Sequence, residues 1–570
     1  MTADTVSIAL TGSGGAGAMT AGQILLEAAA KAGFYGLMGR STGPQIRGGE
    51  AAALVRLSTR PISSADDTFD LLVALDWENV NRFAAELPLS PDSLIVCDPE
   101  HGDVPGPIAA HGARVAQVAM KDLTKEIAGG RVNMIGVGIA ASLIGLSLDA
   151  VIEVLTKQLG RKGEAALTAG KAGIEAGAKA AEGMKLSVTL NPPKKGGTRW
   201  NISGNEAAGL GALRGGIKFC AAYPITPGTE ILEYLAPALP KVGGTLVQAE
   251  DELASINMII GASFGGAPSI TATSGPGLAL MTESLGLAIA SETPIVVVDV
   301  MRGGPSTGIP TKSEQSDLNI AVYGLHGDAP HIVTAPNSIG DCLFTTQWSV
   351  HLAEKLQTAA IVLSDQSMGQ ARCIVDRIED CGVTAERLTA KGDLEGYKRY
   401  AVTESGVSPM AIPGTPGGEY VADGLEHNEI GVPSSQASDH HKQLDKRARK
   451  LDGFDFGDKW ADIEGEGEIA VITWGSATGA AREAIERAAA KGVKARLVSM
   501  RLILPALPAR MAEALKGVDK VMVVEQTHQA QFHKYLRAHY DLPGQVVACN
   551  QTGPLPVRPG DIEARLCAWK

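Results

Sequence analysis

No Cys-x-x-Cys pair occurs in this chain, and its seven cysteines (Cys97, Cys220, Cys342, Cys373, Cys381, Cys549, Cys567) are too scattered for the clustered spacings of zinc or iron-sulfur ligands. They read as reduced, mostly buried thiols, and no metal ligand is assigned. Basic runs and Lys/Arg-aromatic interleaving are also missing, which together with a formal net charge of -12 excludes a nucleic-acid partner. Met1-Thr-Ala-Asp4 opens without a basic n-region, so no secretory signal is expected and the chain is read as cytoplasmic. Long apolar runs are scarce as well. The uncharged run 132–148 falls short of the roughly 20 residues of a comfortable span and holds Asn133, so it reads as a packed interior helix with no membrane role.

What the chain has in abundance is glycine, 68 residues of 570 against an ordinary share of about 7%. Such usage means that backbone approaches something closely in many places. The length implies about three or four domains. The organising stretch is 248–311, which opens on Gln248-Ala-Glu250-Asp251-Glu252-Leu, passes through Thr273-Ser-Gly-Pro-Gly277 and ends in Arg302-Gly-Gly-Pro-Ser-Thr-Gly-Ile-Pro-Thr311. From Leu253 to Met281 nothing is charged, yet Gly261, Gly265, Gly266, Pro268, Gly275, Pro276 and Gly277 interrupt the pattern too often for a membrane helix. A buried neutral region between Glu252 and Arg302 has the makings of a site for a cofactor and an anionic substrate.

In chain order, residues 6–11 read as a strand, followed by Gly12-Ser-Gly14-Gly-Ala-Gly17 and a helix over 21–32. The acidic residue that would hold a ribose is missing, since 39–46 offers Arg40, Ser41 and Gln45. The turn therefore either cradles a phosphate or lets helix and strand pack closely. Strands over 51–58, 68–75 and 93–97 and a helix over 133–155 complete an α/β unit ending near Glu182, and 191–198 has linker composition. Further on, prolines hold Tyr223-Pro-Ile225-Thr226-Pro227 extended ahead of a helix, which a turn alone would also explain. Residues 294–301, 330–335 and 359–364 read as strands. From 383 to 459 periodicity is lost, and a long connector with a charged segment, 442–450, suggests an arm over a partner or a site, with His440 and His441 at the surface. Strands over 468–474, 495–499, 520–525 and 545–548, separated by helices, form a last α/β domain, in which Glu525 to His528 is read as interface structure. The expected division is 1–190, 191–382, a connector 383–465, and 466–570.

Taken in one order, Tyr223-Pro-Ile-Thr-Pro227, Gln248 to Ile256 with Gly261-Ala262, Thr273 to Gly277, and Arg302 to Thr311 resemble the catalytic α subunit of 2-oxoacid:ferredoxin oxidoreductases. The first domain, with its Gly12 to Gly17 turn and Arg47-Gly-Gly49, resembles that family's γ domain fused ahead of α, an arrangement typical of the 2-oxoglutarate enzymes. The resemblance implies a γ-type α/β domain, a pyrimidine-binding-type α/β domain for thiamine diphosphate, and a transketolase C-terminal-like α/β domain. It implies oxidative decarboxylation of a 2-oxoacid, acyl transfer to coenzyme A and electron delivery to ferredoxin. The layout points to 2-oxoglutarate; pyruvate, branched-chain 2-oxoacids and indolepyruvate stay open, as do a non-oxidative thiamine-dependent lyase and a nucleotide-binding regulatory or scaffold protein.

By the same resemblance Glu252 is the carboxylate that bonds the aminopyrimidine ring and favours the tautomer able to take the thiazolium proton. Ile225, Ser274 and Gly275 join it in holding the cofactor. Arg302 grips the 2-oxoacid carboxylate, as a guanidinium can do bidentately, while Thr226 and Tyr223 contact the substrate. Gly12, Gly14, Gly17 and Arg47 are assigned to coenzyme A. Lys312 and Gln315 read as a solvated loop. Gly-Asp-Gly, which commonly begins the diphosphate and magnesium site of thiamine enzymes, is absent from the chain. A second chain is therefore expected to complete the cofactor site, and the resemblance implies that this is a β subunit carrying the diphosphate half, Mg2+ and an iron-sulfur cluster, with two αβ pairs forming a heterotetramer.

Overall fold

The computed structural model describes residues 2–43, 51–160, 163–193 and 197–569. Contacts divide the chain into two compact units. One is Met1–Ser203 with Gln370–Ile378 and Arg558–Gly560; the other is Gly204–Gly369, Glu379–Val557 and Asp561–Lys570.

The first unit is built on an eight-stranded sheet in the order Arg114–Gln117, Leu94–Cys97, Leu71–Ala74, Thr5–Gly12, Ala51–Ser58, Tyr35–Thr42, Arg372–Asp376, Arg199–Ser203. The first four strands are parallel and the remaining pairings antiparallel. Its core gathers Val6, Ile8 and Leu10 with Ile24, Leu25 and Leu26 of helix Ala18–Ala32 and with the helix Val132–Ile144. The latter is apolar all round and buried at nearly every position, as the uncharged run predicted. It ends at Gly145, in the left-handed region at φ 75°, so the single helix read over 133–155 is in fact two, Val132–Ile144 and Leu148–Leu159. Glycine lets it pack tightly on Glu164–Ala180: a Cβ at Gly138 would collide with the Ile174 carbonyl, and one at Gly177 with that of Ile135.

The sequence division and the compact units cut the chain differently. Strands Arg199–Ser203 and Arg372–Asp376 lie in the 191–382 segment, but they pair with each other and extend the first unit's sheet from Tyr35–Thr42. That long-range pairing supplies their ladder hydrogen bonds.

Two sheets make the second unit. The larger runs Thr245–Gln248, Phe219–Ala222, Ser269–Thr273, Ile295–Met301, Ala359–Asp365, Ile332–Thr334, Leu502–Leu504, parallel except for the last strand. The smaller runs Ala461–Glu464, Ala495–Met500, Ile469–Trp474, Lys520–Glu525, Gln545–Asn550, parallel except for the first. Leu502–Leu504, a strand absent from the sequence reading, leaves the connection between Ala495–Met500 and Lys520–Glu525 of the smaller sheet to pair with Val333 and Thr334 of the larger.

The 383–465 segment carries a buried charge cluster. Helix Ala437–Asp452 contains the charged segment 442–450, and Lys446 and Lys450 are buried on it. Both ammonium groups reach the carboxylate of Glu292, Lys446 Nζ lying 2.6 Å from both oxygens and Lys450 Nζ 2.6 Å from Oε2. Arg399 donates to the Glu292 carbonyl at 2.8 Å. Burial alone would raise the Glu292 carboxyl, but Lys450, Lys446 and Arg399 outweigh it and hold the group well below the usual range. His440 is exposed and paired with Glu426, in keeping with a surface residue. Among the described residues no helix is long and apolar enough to cross a membrane.

Candidate active site

Three neighbouring parallel strands of the larger sheet end at one place, and the crevice beyond such carboxyl ends is where open α/β sheets bind ligands. Phe219–Ala222 leads into Tyr223 to Thr226, Ser269–Thr273 into Ser274, and Ile295–Met301 into Arg302. The 223–230 turn is pinned from beneath by Asn205, whose Nδ2 donates to the Pro227 carbonyl at 2.9 Å and to Glu230 at 2.7 Å.

Arg302 is 7% exposed, and its Nη1 donates to the Thr226 carbonyl at 2.6 Å. The pairing uses the backbone, which leaves the Thr226 hydroxyl uncommitted to the arginine. Arg302 Nε is buried with no partner. Burial pulls the guanidinium below its ordinary range, opposed by three carboxyl groups around it, Asp317, Asp299 and Glu252.

Of the three clustered acids, Asp251 does the helix capping. Its Oδ1 accepts from the Ala254 N–H at 2.6 Å at the start of helix Glu252–Phe264. Glu250 is exposed. Glu252 is thus freed to turn inward, where it is 7% exposed. It faces Gly277: a Cβ there would lie 2.7 Å from Glu252 Cγ and 2.8 Å from Oε1, and would collide with Thr273 Oγ1. Ser274 takes the N-cap position of helix Gly275–Ala290 without a side-chain cap bond, and its buried Oγ has no partner. A Cβ at Gly275 would come 2.6 Å from Asp317 Oδ1.

Glu252, Thr226, Ser274, Gly275 and Arg302 are therefore gathered around one set of strand ends. Tyr223, 38% exposed, sits at the rim. Ile225 is half-buried, its carbonyl accepting from the Thr229 N–H at 3.1 Å. Gly12, Gly14 and Gly17 belong to the other unit. Gly14 is exposed, Gly17 takes a left-handed φ of 84°, and the Ser13 N–H and hydroxyl of that turn are bonded to Asp76. Arg47 lies outside the described residues.

Gln315 is not on a solvated loop. It is fully buried; its Nε2 donates to the Trp474 carbonyl at 2.9 Å, and its Oε1 accepts from the Gln526 N–H at 2.8 Å. Sequence reasoning also missed Asp299 and Asp317. Asp299 is the single charged residue in the wholly buried strand Ile295–Met301, a signal visible in the sequence.

Comparison with known proteins gives three matches along the chain: a family model described as pyruvate flavodoxin/ferredoxin oxidoreductase, thiamine diphosphate-binding, over residues 210–446; one described as pyruvate ferredoxin/flavodoxin oxidoreductase over 7–180; and the transketolase C-terminal domain over 458–565. The chain is 30% identical to the 2-oxoacid:ferredoxin oxidoreductase subunit alpha of a Sulfolobus species, across 92% of this chain and 91% of that one. It is 32% identical to the 2-oxoglutarate oxidoreductase subunit KorA of Mycobacterium tuberculosis, across 86% and 80%. Among solved structures, the 2-oxoglutarate:ferredoxin oxidoreductase of Magnetococcus marinus, with 2-oxoglutarate, coenzyme A and succinyl-CoA bound, matches 99% of both chains with a TM-score of 0.90 at 36% identity.

Proposed function

Because this chain belongs to the 2-oxoacid:ferredoxin oxidoreductase α-subunit family, with a γ-type domain ahead of the α part, we propose that it decarboxylates 2-oxoglutarate oxidatively to succinyl-CoA. The observation that carries this reading is the convergence of Glu252 and Arg302, from separate elements, on one crevice that also exposes the Thr226 segment. The choice of 2-oxoglutarate and coenzyme A is supported by the ligands named for the Magnetococcus marinus enzyme.

The residues present fit the pyrimidine end of thiamine diphosphate. Gly277 leaves room at the Glu252 carboxylate that a Cβ would fill, and Ser274 Oγ is a buried polar atom without a partner. Thiamine diphosphate, when bound, supplies the nucleophilic carbon and the electron sink that decarboxylation needs. Glu252 accepts a hydrogen bond from the aminopyrimidine ring and holds a proton there. Ser274 and Gly275, with Ile225, position the ring. Arg302 binds the 2-oxoacid carboxylate, Thr226 hydrogen-bonds its oxygens and Tyr223 closes the rim. A β subunit supplies the diphosphate and Mg2+ half and an iron-sulfur cluster that passes electrons to ferredoxin, a division supported by the lack of Gly-Asp-Gly here. Gly12, Gly14, Gly17 and Arg47 are proposed for coenzyme A on the family resemblance, and a cytoplasmic dimer of αβ pairs is the assembly.

The test is anaerobic co-expression with the neighbouring β-subunit gene, followed by viologen reduction with thiamine diphosphate, Mg2+, coenzyme A and a panel of 2-oxoacids. Reduction that requires coenzyme A and favours 2-oxoglutarate is the expected result. Preference for pyruvate, a branched-chain 2-oxoacid or indolepyruvate would correct the substrate. A cofactor-loaded complex that reduced nothing would overturn the oxidoreductase reading.

A further inference from the structure

We propose that Asp299 and Asp317 share a single proton, and that this proton sets how strongly Arg302 holds the carboxylate of the incoming 2-oxoacid. The second clause rests on the function proposed above; the first does not.

Asp299 lies in the middle of strand Ile295–Met301, every residue of which is buried, and it pairs across the sheet with Thr273. No N–H or O–H of the described residues donates to either of its carboxyl oxygens. The group within hydrogen-bonding reach is the carboxyl of Asp317. Asp317 Oδ1 accepts from Ser316 Oγ at 3.2 Å, while its buried Oδ2 has no donor. Asp317 is wedged against the first turn of helix Gly275–Ala290, where a Cβ at Gly275 would come 2.6 and 2.7 Å from its two oxygens. Space for rearrangement is therefore small.

Two buried carboxyl groups facing each other without a donor repel if both are ionised, and a single proton converts the repulsion into a hydrogen bond. Burial pushes both groups above the ordinary carboxylate range, and the neighbouring carboxylate pushes Asp299 further. Charge then decides the functional consequence. Arg302, with Nη1 committed to Thr226 and Nε unpartnered, faces Asp299, Asp317 and Glu252. With the proton in place the charge facing Arg302 is one unit less negative than without it, and an anionic substrate meets that difference. Glu314 also faces Asp317, and Asp365 ends the adjoining strand opposite Met301. Asp365 Oδ1 accepts from the Ser367 hydroxyl at 3.1 Å and the Met368 N–H at 2.9 Å, and its buried Oδ2, like the oxygens of Asp299, has no partner.

Asp299 and Asp317 act here as positioning residues, through Arg302. The test uses the co-expressed complex, as wild type and as Asp299→Asn, with Asp317→Asn as the second variant because either amide supplies the donor without a titrating proton. Infrared spectra at neutral pH should show a protonated carboxyl band in the wild type that is missing in each variant, independently of turnover. The KM for 2-oxoglutarate should rise about tenfold in the wild type as alkaline pH removes the shared proton, with kcat changing less, and stay within about twofold in the variants over the same titration. Absence of the band overturns the shared proton. A KM profile that is the same in wild type and variants overturns its role at Arg302. A wild-type complex that turns over no 2-oxoacid sinks the proposed function and with it the link to Arg302, while the infrared result still decides the pair.

Discussion

Gly277 lies against the carboxylate of Glu252, so closely that a Cβ at position 277 would stand 2.8 Å from Oε1. Gly277→Ala must push the carboxylate aside or shift the helix that begins at Gly275. A displacement near 1 Å from a productive geometry costs on the order of 100-fold in rate. The expected outcome is a fall of that size in kcat for viologen reduction, with circular dichroism and assembly unchanged.

Arg302→Lys keeps the charge and loses the planar fork. Bidentate recognition of a carboxylate is what separates the two side chains. The KM for the 2-oxoacid should rise roughly 10-fold or more, while kcat at saturation moves less. An unaltered KM would remove Arg302 from substrate binding.

Gln315 bridges the two sheets of the second unit through Trp474 and Gln526. Gln315→Ala leaves the buried Gln526 N–H without its acceptor, at a cost of about 1–3 kcal/mol. The urea midpoint of unfolding should fall accordingly, and Gln315→Glu should not restore it, because a carboxylate cannot donate to the Trp474 carbonyl.

Lys450 gives a pH dependence of stability. Burial drives its ammonium down to about 7, against the opposing pull of Glu292. In the unfolded chain a lysine holds its proton up to about pH 10.4, so between those values the unfolded state binds more protons. The stability due to Lys450 is therefore full above the unfolded value and is lost as pH falls towards about 7. Thermal midpoints of wild type and Lys450→Met, compared at neutral pH and near pH 9.5, should show an alkaline gain in the wild type that the variant lacks. Lys446→Met is the harsher change, since Lys446 contacts both Glu292 oxygens, and breaking a buried pair costs about 3–5 kcal/mol.

Legibility in the sequence followed locality. Thr226, Glu252, Ser274 and Arg302 stand in contiguous motifs at strand ends, where backbone requirements and chemistry coincide within a few residues. The apolar strands were legible for the same reason, since a buried parallel strand such as Ile295–Met301 is a continuous hydrophobic run. What stayed hidden depended on distant partners. Leu502–Leu504 is three residues long and becomes a strand only by pairing with 333 and 334. The charged segment 442–450 gives no sign in the sequence of its partner Glu292, some 150 positions earlier, which draws Lys446 and Lys450 inward. Gln315 reads as a loop residue because its partners lie at 474 and 526. Asp299 was visible as a lone acid in an apolar strand, but its meaning came from Asp317, which no periodicity connects to it.

The central claim is that the Glu252 carboxylate serves the reaction and is not spent on capping its own helix, a task Asp251 already performs. The measurement that tests it most directly is turnover of the assembled complex carrying Glu252→Gln, alongside its bound thiamine diphosphate content and unfolding midpoint. The predicted result is loss of nearly all 2-oxoacid-dependent viologen reduction, on the order of 100-fold or more, with assembly and stability retained. Wild-type turnover in that variant would contradict the account.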